Sequence, residues 1–410
     1  MIDLLVVLFL FFLNFIYLFP FFGEANKSNV FSAPLVPLLS YFLTLLTGME
    51  IGKAITVSLL IFILLAPIFF YFFSAKISQR RSVGFLSALI YSLPTELLAK
   101  GRMTMALLVG DGGHITALAI VPLSGLFLLN FLRLGNFRSL VLASLVTGLI
   151  ALSSPFGLLI GLMILLVIAF SEFLQGEMRL KSLRFIFFIG LTVGFVAFWY
   201  NPGFVALFLK SQQGLVLKKT FFNLIPLSFV VIPVAAAFGF LLFEKKAELQ
   251  CLFIALGLVA LFSLISFADY IGRFFPSHPY RYLVTLGFSL SFLLGIILVS
   301  FSDFLRFRGQ FRKIRLSPLG RNLAKKFFWL ANLGIIGLKV VFSLNSLWQL
   351  PKGQVLGVWS EGITTGQTWE IKRQTGGASA AAGYLVTILT FFLVIFSWLK
   401  IKRQKEIING

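Results

Sequence analysis

Uninterrupted apolar runs of about twenty residues recur along the whole chain, starting with IDLLVVLFLFFLNFIYLFPFF at residues 2–22. A hydrocarbon core of roughly 30 Å is crossed by about 20 apolar residues in a helix. Backbone amides in lipid must be satisfied within the span, so such runs form helices. The runs are continuous and do not alternate with a period of two, which argues against a barrel. The expected fold is an all-α polytopic membrane protein. About twelve transmembrane helices are placed at 2–22, 53–73, 83–99, 115–132, 139–153, 155–174, 185–200, 220–243, 249–268, 282–302, 327–348 and 383–399. Together they form a single transmembrane domain over residues 1–410. The segment 33–48, APLVPLLSYFLTLLTG, is too short and too rich in proline for a full span, so a surface or re-entrant helix is expected there.

Composition agrees, with 59% hydrophobic residues and a mean hydropathy of +0.99. The net charge of +21 would suggest nucleic acid in a soluble protein. Here the bases sit in short loops between apolar runs, so membrane headgroups are the expected partner and nucleic acid is not. With both termini placed in the cytoplasm, twenty-two loop and tail lysines and arginines fall inside and eleven outside. That asymmetry favours a plasma-membrane orientation with cytoplasmic termini. The run at the N-terminus has no basic leader and is too long for a signal peptide, so it is read as the first span. A single cysteine, Cys251, excludes a disulfide framework and a cysteine metal site within the chain. Lys339 stands alone as a base in mid-span.

This orientation puts the scarce polar chemistry on the outer side. Residues 96–114, ELLAKGRMTMALLVGDGGH, hold Arg102, Asp111 and His114 among glycines. Asp111 and His114, three residues apart, have the donors to share a metal ion or relay a proton. A solvated turn between two spans is the competing reading. Glu24 follows the first span and is either a general base or an ordinary surface acid. The run 269–281, DYIGRFFPSHPYR, brings Arg273, His278 and Arg281 together with prolines and aromatics. Its arginines suit a phosphate, and an aromatic-belt loop with solvated charges is the alternative. Tyr200 closes the seventh expected span.

From residue 32 to about 209 the chain resembles the GT-C glycosyltransferase superfamily, in the style of 6-pyruvoyl-tetrahydropterin synthase-related membrane proteins. The resemblance is carried by SAPLVPLLSYFLTLLTG, the basic turn KISQRR, RSVGFLSALIYSLPTELLAKG, HITALAIVPLSGLFLLNFLR, LIALSSPFG and the motif FWYNP at 198–202. It implies a GT-C-like bundle half over 1–209, with further spans over 210–410. It also implies transfer of a sugar from a polyprenyl-phosphate carrier to a glycan, lipid or protein acceptor on the outer face. Glu24 would then act as the catalytic base and Asp111 as a second catalytic acid, with a divalent ion such as Mg or Mn on Asp111 and His114. Arg102, Arg273, His278, Arg281 and Tyr200 would contact the substrate and its phosphate. The first outer loop carries no Asp-x-Asp pair. This keeps open a catalytically inactive scaffold of the same plan, or a lipid-linked glycan polymerase or transporter.

Overall fold

The computed structural model describes residues 2–25, 31–93, 99–211, 214–215, 247–266, 280–307 and 370–409, with Leu330 and Gly334. Among these residues the regular structure is entirely helical. The helices are α1 (Ile2–Leu18), α2 (Leu35–Thr47), α3 (Ile51–Ser78), α4 (Arg81–Ser92), α5 (Ala99–Met103), α6 (Gly112–Leu134) and α7 (Phe137–Ser153). They continue as α8 (Pro155–Leu174), α9 (Met178–Val196), α10 (Pro202–Lys210), α11 (Ala247–Ser266), α12 (Tyr280–Phe307) and α13 (Gly377–Asn409).

Seven helical stretches among the described residues are long and apolar enough to cross a membrane: 2–21, 51–78, 112–134, 155–174, 249–266, 281–303 and 377–401. The expected spans at 83–99, 139–153 and 185–200 coincide with α4, α7 and α9. Helices α4 and α7 are only 12 and 17 residues long. Helix α9 carries Arg179, Lys181 and Arg184 near its start. The expected span at 220–243 and Lys339 lie outside the described residues, as does 327–348 apart from Leu330 and Gly334. Helix α2 runs for 13 residues, less than a span needs.

Helix boundaries follow local chemistry. Serine-proline and asparagine-proline pairs open two helices. Ser154 accepts the Gly157 amide at 3.2 Å before Pro155, and Asn201 accepts the Phe204 amide at 2.9 Å before Pro202. Helix α6 ends on Gly135, whose φ of +68° is the left-handed cap conformation. Arg184 reaches the freed carbonyl of Leu132 there, at 2.6 Å.

Helix α6 is central, with 78% of its most apolar window buried inside the protein, against 11% for α13. Exposed residues of α13 such as Leu385, Leu389 and Phe396 face outward, as lipid-facing positions do. Aromatic rings fill the space between α3, α4 and α12. Phe70 lies 4.5 Å from Phe288 and 5.2 Å from Tyr91. Hydroxyl and amide pairs tie helices across the apolar interior: Ser124 with Thr147 at 2.6 Å, Ser40 with Ser58 at 3.1 Å and Asn14 with Ser92 at 2.9 Å.

The ion pairs define two polar ends. Asp3 pairs with Arg81, Arg80 with Asp303, and Glu172 with Arg133 and Lys181. These contacts gather the start of α1, the α3–α4, α6–α7 and α8–α9 turns, and the far end of α12. The opposite end collects the starts of α6, α8 and α12.

Candidate functional site

The chain preceding α6 is wound more loosely than an α-helix. Residues Thr104–Leu108 form a π-helical turn in which the Val109 amide reaches back to Thr104 at 3.0 Å. The Asp111 amide then donates to the Met105 carbonyl at 2.9 Å. Gly110, at φ +84°, makes the reversal. Asp111 is thereby set at the head of α6 with its side chain turned away from the helix amides, which it does not cap.

Its partner comes from the first turn of α12. Arg281 donates from Nε to Asp111 Oδ2 at 2.8 Å and from Nη2 to Oδ1 at 2.9 Å. Both residues are buried. A two-pronged pair of this kind fixes direction as well as charge. The Arg281 guanidinium lies 3.8 Å over the ring of Phe156, in the first turn of α8. The same ring meets His114 edge-on at 4.9 Å and Tyr282 at 5.2 Å. Three helix N-termini thus converge on Phe156, where their first-turn dipoles add positive potential. Gly113 permits the approach, because a Cβ there would sit 2.7 Å from the Ser153 carbonyl oxygen.

His114 is fully buried. Its ring lies beside the Arg281 backbone, yet neither ring nitrogen makes a hydrogen bond of normal geometry among the described residues. Arg102 is also buried. Its guanidinium stacks 3.8 Å over Tyr91 and Nη2 donates to the Tyr91 carbonyl at 2.9 Å. Its Nε and Nη1 find no partner among the described residues. Burial lowers the Arg102 pKa from its ordinary value, and the adjacent Tyr91 works in the opposite sense. Unmet buried donors are costly and uncommon, so two such residues near one end of a bundle call for an explanation.

Among the described residues, neither Glu24 nor Tyr200 makes a hydrogen bond or ion pair with Asp111, His114 or Arg281. Glu24 is half-buried beyond the short 3-10 turn Phe19–Phe21, and its carboxylate makes no ion pair among the described residues. Tyr200 donates its hydroxyl to the Ala151 carbonyl at 2.7 Å, which ties the end of α9 to α7. Arg273 and His278 lie outside the described residues. The solvated-turn reading of 110–114 does not describe Asp111 and His114, because both are buried.

The expected divalent ion fits this arrangement poorly. Both oxygens of Asp111 are engaged by a guanidinium, whose charge would also repel a cation. Among the described residues no third histidine, cysteine or carboxylate joins Asp111 and His114.

Two polar features had not been expected. Lys372, before α13, donates to the carbonyls of Trp199 at 2.7 Å and Phe198 at 3.1 Å. Burial lowers its pKa. At the other end of the bundle the Glu172 carboxylate is fully buried. It accepts from Arg133 Nε at 2.8 Å, Lys181 at 3.2 Å and the Gln250 side-chain amide at 2.7 Å. The signal in the sequence was an acid, Glu172, still inside the apolar run that ends α8. Taken one loop at a time, Arg133 and Lys181 read as ordinary topology bases. No protein-family model matches the sequence, and no curated protein matches it.

Proposed function

We propose that this chain is a membrane glycosyltransferase of GT-C-like plan that takes a sugar from a polyprenyl-phosphate carrier, and that the carrier phosphate is handled at the Asp111–Arg281–Phe156 end. The reading is supported above all by the convergence of three helix N-termini, a buried arginine and a buried histidine whose ring nitrogens make no hydrogen bond of normal geometry among the described residues, at one end of an apolar bundle. Helix N-termini and guanidinium groups are the usual partners of phosphate. Positive charge held at the leaving phosphate lowers the barrier to glycosyl transfer. A carrier with a long apolar tail would reach such an end sideways from the bilayer.

In this proposal Arg281 contacts the phosphate, and Asp111 is a positioning residue that holds the guanidinium in its plane. Arg102 supplies further donors, and His114 shuttles a proton at a ring nitrogen. Glu24 is the base for the acceptor hydroxyl. No step is assigned to a metal. The excess of bases at the opposite end supports an outer-facing site, with both termini in the cytoplasm of a plasma membrane.

One observation favours a second reading. With both Asp111 oxygens tied to Arg281, the site is better equipped to hold a lipid-linked sugar than to turn it over, as an inactive scaffold would. The test is purified protein in liposomes carrying radiolabelled polyprenyl-phosphate sugars and membrane-extract acceptors. Label leaving the carrier, with the transfer lost in Glu24→Gln while carrier binding persists, supports the transferase. Carrier binding without turnover supports the scaffold. Label crossing the bilayer still on its carrier would identify a transporter, and absence of binding would defeat all three.

A further inference from the structure

The end of the bundle opposite Asp111–Arg281 holds two recesses that flank Arg133. The larger, about 500 Å³, is lined by Asp3, Tyr71, Phe72, Lys76, Arg81 and Leu126, among others. The smaller, about 420 Å³, lies over the buried Glu172 network. Gln79 and Arg133 line both.

In the larger recess three bases, Lys76, Arg81 and Arg133, face one acid, Asp3, which leaves a charge of +2. Asp3 is engaged by Arg81 at 3.1 Å and by the Tyr71 hydroxyl. Arg133 is held from behind, its Nε and Nη2 bound to Glu172 and Gln250. Its Nη1 makes no bond among the described residues. Lys76 is exposed and makes no ion pair among them. Phe72, 38% exposed, and Leu126 form an apolar wall. Charge and apolar wall together match the head and first methylenes of a lipid.

Backbone geometry marks the same place. Among the described residues only Gln79 (φ +56°) and Glu177 (φ +53°) are non-glycine residues with positive φ; Gln79 lines both recesses and Glu177 the smaller one. Where α2 and α6 end, the chain uses Gly48 and Gly135 for that conformation. A strained backbone that keeps long polar side chains at a recess is a recurrent mark of a ligand site.

We infer that this recess binds a phosphate-bearing anion, the phosphodiester head of an acidic membrane lipid. Arg133 and Lys76 hold the phosphate, and Phe72 and Leu126 lie along the acyl chain. Free phosphate shares the head chemistry and is separated from the lipid by the test. The test is native mass spectrometry of the purified full chain, delipidated in detergent and mixed with phosphatidylglycerol, phosphatidylcholine or inorganic phosphate. The wild type is expected to retain phosphatidylglycerol over phosphatidylcholine. That preference should fall about tenfold in K76Q/R81Q and hold in R138Q/R179Q, which removes equal charge from exposed sites at the same end. Lys76→Gln alone, at an exposed side chain, should lower it about threefold if the double variant does not fold. Displacement of the lipid by millimolar phosphate would make the natural ligand soluble, and resistance to displacement would make it the lipid. Equal retention of the two lipids by the wild type, or equal loss in both double variants, would overturn the site.

Discussion

Asp111 and Arg281 lie 170 positions apart and close on each other through two hydrogen bonds of 2.8 and 2.9 Å inside the protein. This pair joins α6, the central helix, to α12, and it sets the guanidinium over Phe156. Burying both charges is tolerable only while each has the other.

The two side chains should therefore be energetically coupled. Arg281→Gln is expected to destabilise the detergent-solubilised protein by about 3 kcal/mol, because it strands a buried carboxylate. The double variant D111N/R281Q should lose less than the sum of the two single changes. A thermal-unfolding cycle over the four proteins reads the coupling, and strict additivity would mean that the pair contributes nothing.

His114 carries the opposite expectation. Its two ring nitrogens make no hydrogen bond of normal geometry among the described residues, and a buried unmet polar atom costs about 1–3 kcal/mol. His114→Leu should raise stability by about 1 kcal/mol and abolish sugar transfer. A melting curve with the liposome transfer assay checks both. A loss of stability with transfer intact would make the imidazole a structural ring against Phe156.

The approach of α6 to the α7–α8 turn depends on a missing side chain. Gly113→Ala would bring a methyl group within 2.7 Å of the Ser153 carbonyl, at a cost of about 1–3 kcal/mol. Gly23→Ala, where nothing lies within 4 Å, should change stability by less than about 0.5 kcal/mol. Urea titration of both variants distinguishes steric demand from a general effect of replacing glycine.

Glu172 anchors the other end. Glu172→Gln leaves Arg133 and Lys181 facing each other without a carboxylate, with an expected loss of about 2–3 kcal/mol. Adding Lys181→Met should recover part of it, since only one base then remains. The same thermal assay decides, and no recovery would show that Lys181 is balanced by other groups.

Much of this architecture was legible in the sequence because lipid leaves few options. A run such as residues 53–73 must become helix, and α3 does span it. Ser154-Pro155 and Asn201-Pro202 mark helix starts through capping chemistry that a sequence displays. Short helices were harder to read. Residues 83–99 look like a span by hydropathy, but regular helix α4 ends at Ser92, two positions before Pro94, and the residue preceding a proline is turned away from helix. At the site, Asp111, His114 and Arg281 stood out as polar residues in apolar company. Their pairing was hidden, because it depends on where α12 packs. Arg281 was expected as a phosphate contact, and the structure adds that Asp111 holds its guanidinium in place. The burial of Glu172 was hidden in the same way, because it requires Gln250, 78 positions on, to close over it.

The most direct test is photo-crosslinking of a diazirine-bearing polyprenyl phosphate to the wild-type protein. It is run in vesicles with excess phosphatidylglycerol to occupy the opposite recess, and adducts are mapped by mass spectrometry. The account predicts that label will concentrate on the first turns of α6, α8 and α12, around His114, Phe156 and Tyr282. Label spread along the lipid-facing side of α13, or confined to the Arg133 end, would contradict it.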